Sequence, residues 1–183
     1  MQEDIFKTAL HNPPHLFKEN AVYIITGANY LKRNYLRISE RKHQWLNSFR
    51  KAAEIYEWEI IAWVALDNHY HVLVRAPETK ADNLPKLVAS YHKFTSRTWN
   101  VADNEEGRQV WWNYWDTCIR AEKDYFARLN YIHWNPVKHR IVDRPEDYPF
   151  SSYRDFLGTQ EPMIRKIETK YPYTEVDNVP DDF

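Results

Sequence analysis

Apolar residues recur along this chain in two rhythms. Residues 21–27 (Ala21-Val22-Tyr23-Ile24-Ile25-Thr26-Gly27) are β-branched and aromatic and predict a strand. From Ser39, a candidate N-cap, Trp45, Phe49, Ala52, Ala53 and Tyr56 repeat at helical spacing and predict a helix over 39–56. Residues 58–66 and the run after Asp67 read as a second and a third strand, joined by a tight Asp67-Asn68 turn. Asp82 or Asn83 opens the next helix, with Pro85 in its first turn and Leu84, Leu87, Val88, Tyr91, Thr95 and Thr98 as its buried stripe. A polar loop over 101–108 leads to a further strand, or tight strand pair, over 110–120. A helix then opens at 121 and runs to about Trp134, where Pro136 is expected to interrupt it, leaving a short continuation over 137–142.

Strand, helix, strand, strand, helix, strand, helix is the order of a ferredoxin-like α+β fold. It predicts a four-stranded antiparallel sheet with two helices packed on one face. The helix around residues 125–134 is an addition to that core. The domain is expected over 21–153. Before it lies an N-terminal arm, 1–20, kept from helix by Pro13-Pro14 between His11 and His15. After it lies an acidic tail, 154–183, with one short helix.

Composition sharpens this only in places. Eight Trp and thirteen Tyr exceed what one small core needs, so some are expected on the surface, where stacking on unpaired bases is one use. A net charge of −1 excludes a global basic field. Residues 174–183 hold four carboxylates and no Lys or Arg, however, so the remainder of the chain is mildly basic. Cys118 is the only cysteine, which excludes intrachain disulfides. Neither a signal peptide nor an apolar run of membrane-spanning length is visible, so the expectation is a cytoplasmic protein without a membrane partner.

The chemistry concentrates in two stretches. In Asn68-His69-Tyr70-His71 the period of a strand turns His69 and His71 to one face and Tyr70 to the other. Two imidazoles about 6–7 Å apart along a strand can share one divalent metal. Any such triplet can equally be two half-buried polar residues at a strand start. Downstream, Tyr125, Leu129 and Ile132 form the apolar stripe of the last helix. Tyr131 lies off that stripe, in one sector with Arg128 and Asn135. Asn135-Pro136 also has a plain reading as N-cap and first helical residue.

At this point the chain resembles a family. His69-Tyr70-His71 matches the His-hydrophobic-His motif of the single-tyrosine, single-strand DNA transposases. Tyr131-Ile132-His133-Trp134-Asn135-Pro136-Val137-Lys138 is similar to the tyrosine motif of one branch, the REP-associated tyrosine transposases. Val110-Trp111, Asp116, Ile119-Arg120 and the stretch from Arg144 to Tyr153 resemble that branch too. The resemblance implies that His69 and His71 bind Mg²⁺ or Mn²⁺, that Tyr131 is the nucleophile, and that Asn135 stands where the wider family has a glutamine as third ligand. It implies cleavage and rejoining of hairpin DNA with single-stranded flanks through a 5′-phosphotyrosine. His133 points to the other side of the helix and ranks below Asn135.

Lys86, Lys93, Arg97, Arg120, Arg128 and Lys138 are candidates for phosphate contacts. Trp111, Trp112 and Trp115 are candidates for base stacking or for the core. Competing readings are a rolling-circle or relaxase-type nickase, a hairpin-binding module without cleavage, and a metal hydrolase without a covalent intermediate. Monomer and homodimer both remain open.

Overall fold

In the computed structural model, residues 5–7 and 15–176 are described. A small hairpin pairs β1 (Ile5–Lys7) with β2 (His15–Phe17). The main sheet holds β3 (Val22–Ala28), β4 (Glu59–Ala65), β5 (His69–Arg75) and β6 (Trp115–Ile119) in the order β4-β5-β3-β6, with every pairing antiparallel. Helices α1 (Ser39–Ile55) and α2 (Leu84–Ala102) form the crossovers, α3 (Glu122–Lys138) follows the last strand, and α4 (Tyr153–Lys170) closes the chain. This is the ferredoxin-like α+β arrangement the element order predicts.

Central β5 is buried on both faces, and its alternation divides the interior in two. Tyr70, Val72 and Val74 join Trp45, Phe49, Leu87, Tyr91 and Trp99 in a core beneath α1 and α2. Leu73 joins Ile24, Val64, Leu129, Ile132, Tyr153 and Ile164 in a second core beneath α3 and α4. His69 and His71 share the parity of Leu73, so they open toward α3. Gly27 lies opposite Tyr70 in the register, and a Cβ there would fall on the Tyr70 phenol ring. The close approach, not a turn, requires glycine. The Tyr70 hydroxyl lies 2.7 Å from that of Tyr91 and 2.8 Å from Nε2 of His92, whose ring stacks on Trp111 at 4.4 Å.

The structure departs from the sequence pattern in four places. Pro136 does not interrupt α3, which continues to Lys138; it stands in the last turn, where a missing N–H removes one bond near an end that already frays. Asn135 is therefore inside the helix and fully buried, not an N-cap. The stretch from 154 expected as tail is helical to Lys170, because Ile164 and Ile167 bury against the sheet side of α3. In α2 the stripe turns into the core at Trp99, whose indole donates to Gln44, in place of half-buried Thr98. The strand over 110–120 shortens to β6 because Trp111 bridges Asn29 separately from the main ladder. His11, Pro13 and Pro14 lie outside the described residues.

Burial without a charged partner holds both His92 and His133 down to a pKa of about 3. In the unfolded chain both would titrate near the ordinary value of about 6.5, so the unfolded state takes up these protons first. Stability is then complete above about pH 6.5 and falls as pH drops toward the folded value. Urea midpoints measured from pH 7.5 to pH 5 should decline, and His133→Gln should flatten that decline.

Candidate active site

The register of the β3–β5 ladder sets the first shell of interactions. Thr26 stands opposite His71, and its hydroxyl lies 2.8 Å from His71 Nδ1; Asn68 Oδ1 lies 2.7 Å from His69 Nδ1. An amide oxygen only accepts, so it requires Nδ1–H on His69 and leaves the lone pair on Nε2. The Thr26 hydroxyl can accept in the same way from His71. The two rings meet edge to face with centroids 5.0 Å apart, and both residues are buried.

Helix α3 crosses above this pair in the direction opposite to β5. The ring of Tyr131 meets that of His71 at 5.2 Å, and the ring of His139 meets that of His69 at 5.1 Å. Asn135 lies midway between Tyr131 and His139 at steps of four, on the same helix face. His133 points elsewhere: its Nε2 is 3.2 Å from Ser152 Oγ and its ring packs on Tyr153 and Phe156. It is a core histidine.

Tyr131 is 2% exposed. The ammonium of Lys138 lies 3.4 Å from its hydroxyl and 4.8 Å from its ring centre. On the far side of the ring, a cavity of about 410 Å³ is lined by Tyr131, Val137, Lys138, Arg140 and the chain segment with Tyr173 and Val176. That segment is tied down on α3: Asn130 donates to the carbonyls of Ile167 and Tyr171, and Tyr173 stacks on Trp134.

The cationic residues do not form one track. Lys138 is in the site, with Arg128 one turn before Tyr131, half-buried and 4.0 Å from Asp124. Lys86, Lys93 and Arg97 are exposed on α2, across the sheet from the histidines. Arg120 follows Ile119, which pairs with Val22, six residues and about 20 Å along the strand from Ala28 beside His69. Trp111 is core. Trp112 is exposed and Trp115 half-buried.

Three neighbours escaped the reading of the sequence. Thr26 needed the strand register, which no local pattern gives. Asn68 directly precedes His69 in a position that the sequence pattern marks only as a turn. His139 is eight residues past Tyr131 and was hidden by the expected break at Pro136.

For a divalent metal the donor set is suitable. Both imidazoles have Nδ1 engaged, which leaves Nε2 of each as the donor nitrogen, and the buried amide of Asn135 stands on the facing helix. Among the described residues, no three imidazole, thiolate or carboxylate groups form a ready-made metal cage. An ion held here would keep positions for phosphate oxygens.

Comparison with known proteins gives this geometry its context. Residues 21–127, more than half of the chain and including both histidines, match the family described as Transposase IS200 like. The chain belongs to that transposase family. Two curated relatives are named as REP-associated tyrosine transposases. The Haemophilus influenzae protein is 31% identical over 121 residues, covering 60% of this chain and 69% of its own length. The Escherichia coli K12 protein is 34% identical over 98 residues, covering 52% of this chain and 54% of its own length. A solved REP-associated tyrosine transposase, bound to a REP hairpin, superposes with a TM-score of 0.67 at 22% identity over 94% of both chains. That similarity supports the fold described above. No described helix is long and apolar enough to cross a membrane.

The turn before His69 is fixed from outside the sheet. Buried Lys42 on α1 donates to Asp67 at 2.8 Å and to the Tyr148 hydroxyl at 2.9 Å, and that hydroxyl donates to the Ala65 carbonyl at 2.6 Å. Lys42→Ala would strand Asp67 and Tyr148 and should lower stability by about 2–3 kcal/mol, measured by urea unfolding.

Proposed function

We propose that this transposase is a metal-dependent single-strand DNA endonuclease and strand transferase, acting on hairpins of the REP type through Tyr131. The observation that carries the reading is the packing of the Tyr131 ring on His71 of the same chain, with Lys138 at its hydroxyl. The nucleophile and the histidine pair then serve one site in cis.

His69, His71 and Asn135 would hold Mg²⁺ or Mn²⁺. Bound there, the ion supplies Lewis-acid polarisation of the scissile phosphate and a template for its oxygens. The remaining work falls to side chains. Thr26 and Asn68 fix the tautomer and the aim of the two imidazoles. Lys138 stabilises the negative charge that develops on the Tyr131 oxygen as its proton leaves to solvent. That oxygen attacks phosphorus; the bond from phosphorus to the 3′-oxygen breaks, and the departing oxygen takes a proton to become a free 3′-hydroxyl. The product is a 5′-phosphotyrosine, which conserves the phosphodiester energy. A second 3′-hydroxyl can attack it and expel Tyr131, rejoining DNA without a nucleotide cofactor.

The substrate reading rests on the relatives' names and on the hairpin carried by the solved homologue. Lys138 and Arg128 are the nearest cations for phosphate.

The test uses 5′- and 3′-labelled hairpin oligonucleotides with single-stranded flanks, run on denaturing gels with Mn²⁺, Mg²⁺ or EDTA. A metal-dependent protein–DNA adduct on the 5′ side of the cut, absent in Tyr131→Phe, is the expected result. Cutting that survives Tyr131→Phe would instead indicate a hydrolase. Binding without cutting in either metal would indicate a hairpin-gripping module. A separate measurement addresses the ligands: titration calorimetry with Mn²⁺ should show affinity reduced roughly tenfold or more in Thr26→Val and Asn68→Ala.

A further inference from the structure

Beyond the end of β3 the sheet continues as a single bridge between Asn29 and Trp111, with the Trp112 N–H donating to the Ala28 carbonyl at 2.9 Å. Extended by one residue, that register sets Trp112 opposite Ala28, which on its other side pairs with His69. His69, Ala28 and Trp112 thus form one row across the sheet and share a face. Two strand spacings separate Trp112 from His69, roughly 10 Å. Its neighbour Trp111 turns the other way, into the α2 core, where its indole N–H donates to Thr95 at 2.9 Å.

Trp112 is 42% exposed, and its ring lies 4.5 Å from that of Tyr30 at a tilt of 59°. Tyr30 opens a short loop whose next residues are exposed Leu31, Lys32 and Arg33. Leu31 and Lys32 both adopt positive φ, 53° and 57°, a conformation two consecutive L-residues seldom share. Strain of this kind persists where function holds a loop in place. The loop is anchored at the catalytic end of the sheet, since Asn29 N–H donates to the carbonyl of Asn68 at 2.7 Å and Tyr30 N–H to that of Val110 at 2.8 Å. Between Glu19 and Glu40 the sequence holds Lys32, Arg33 and Arg37 and no carboxylate.

We propose that Trp112 and Tyr30 form a stacking subsite for an unpaired base of the DNA strand that enters the site, with Lys32 and Arg33 on its phosphates. The proposal rests on the single-strand DNA reading above and adds where the flank of the hairpin is held. Base stacking on an aromatic ring tolerates sequence, and adjacent cations track the backbone. The shared face and the row with His69 let one strand reach both the platform and the histidine pair.

Fluorescence anisotropy in EDTA, so that no strand is cut, tests the proposal with two labelled probes: a hairpin with single-stranded flanks and the same hairpin without them. Trp112→Ala should bind the flanked probe roughly tenfold more weakly and the flankless probe unchanged, and Trp112→Phe should keep most of the affinity. Lys32→Gln with Arg33→Gln, exposed changes that leave the core intact, should reduce the salt slope on the flanked probe by about two. 2-Aminopurine in the flank should be quenched by the wild type and not by Trp112→Ala. Equal losses on both probes, no loss on either, or loss of self-association in place of DNA affinity would overturn the proposal. A wild type that forms the tyrosine adduct while Trp112→Ala binds normally removes the platform alone. Absence of the adduct removes the catalytic reading.

Discussion

Everything at the site depends on the alternation of β5, a strand buried on both faces. One side chain in two must serve each core, so Tyr70 can fill the α1/α2 layer only if His69 and His71 face α3. A slip of one residue would exchange the two sets and bury the imidazoles beneath Trp45 and Tyr91. Gly27 guards against that slip, because only a residue without a Cβ lets Tyr70 lie flat across β3. The polar contacts of Tyr70 with Tyr91 and His92 add a second specification of the same register. The orientation of the histidine pair is therefore a by-product of the way the opposite core is packed.

Much of this was legible in the sequence, since strands and helices with strong periodicity carry their own signal. The order of elements led to the ferredoxin-like sheet, and the parity of His69 and His71 followed from two residues. The offset of Tyr131 from the stripe of Leu129 and Ile132 was visible on a helical wheel, although its burial was not. In the fold Tyr131 joins Leu129 and Ile132 in the second core and packs on His71, and no local pattern encodes a partner sixty residues away. Pro136 misled for a definite reason. Its penalty is one lost bond to the carbonyl four residues earlier and a clash there, and with the helix ending at Lys138 few residues are left for the distortion to displace. Continuity through that position is what carries Asn135 and His139 onto the same face as Tyr131. The tail was misjudged because Ile164 and Ile167 are sparse anchors in a polar stretch, and their value depends on the groove that receives them.

The cations show a different limit. Sequence spacing put Lys86, Lys93 and Arg97 in a row on α2, and the fold leaves them exposed, but on the layer farther from the histidines. Periodicity identifies a helix face without saying which side of a sheet the helix covers. Helices α1 and α2 share a layer because each crosses one intervening strand, β3 to β4 over β5 and β5 to β6 over β3, on the same face of the sheet, whereas α3 leaves β6 and folds back beneath. A charge row on one helix and a histidine pair on a strand can therefore belong to opposite surfaces.

The choice of donors also has a physical logic. A net charge of −1 gives the chain no long-range field with which to collect DNA, so recognition has to be made locally. Carboxylate ligands would add negative charge where a phosphate must approach. The two neutral imidazoles and the amide of the proposed set would avoid that repulsion and leave the charge of a bound cation directed at a phosphate. The cost of so neutral a set is weak binding of the ion by the protein alone, which the phosphate itself would complete. On the proposed reading metal and DNA would bind with positive coupling, each supplying part of the other's site, beside a Tyr131 ring already enclosed against His71.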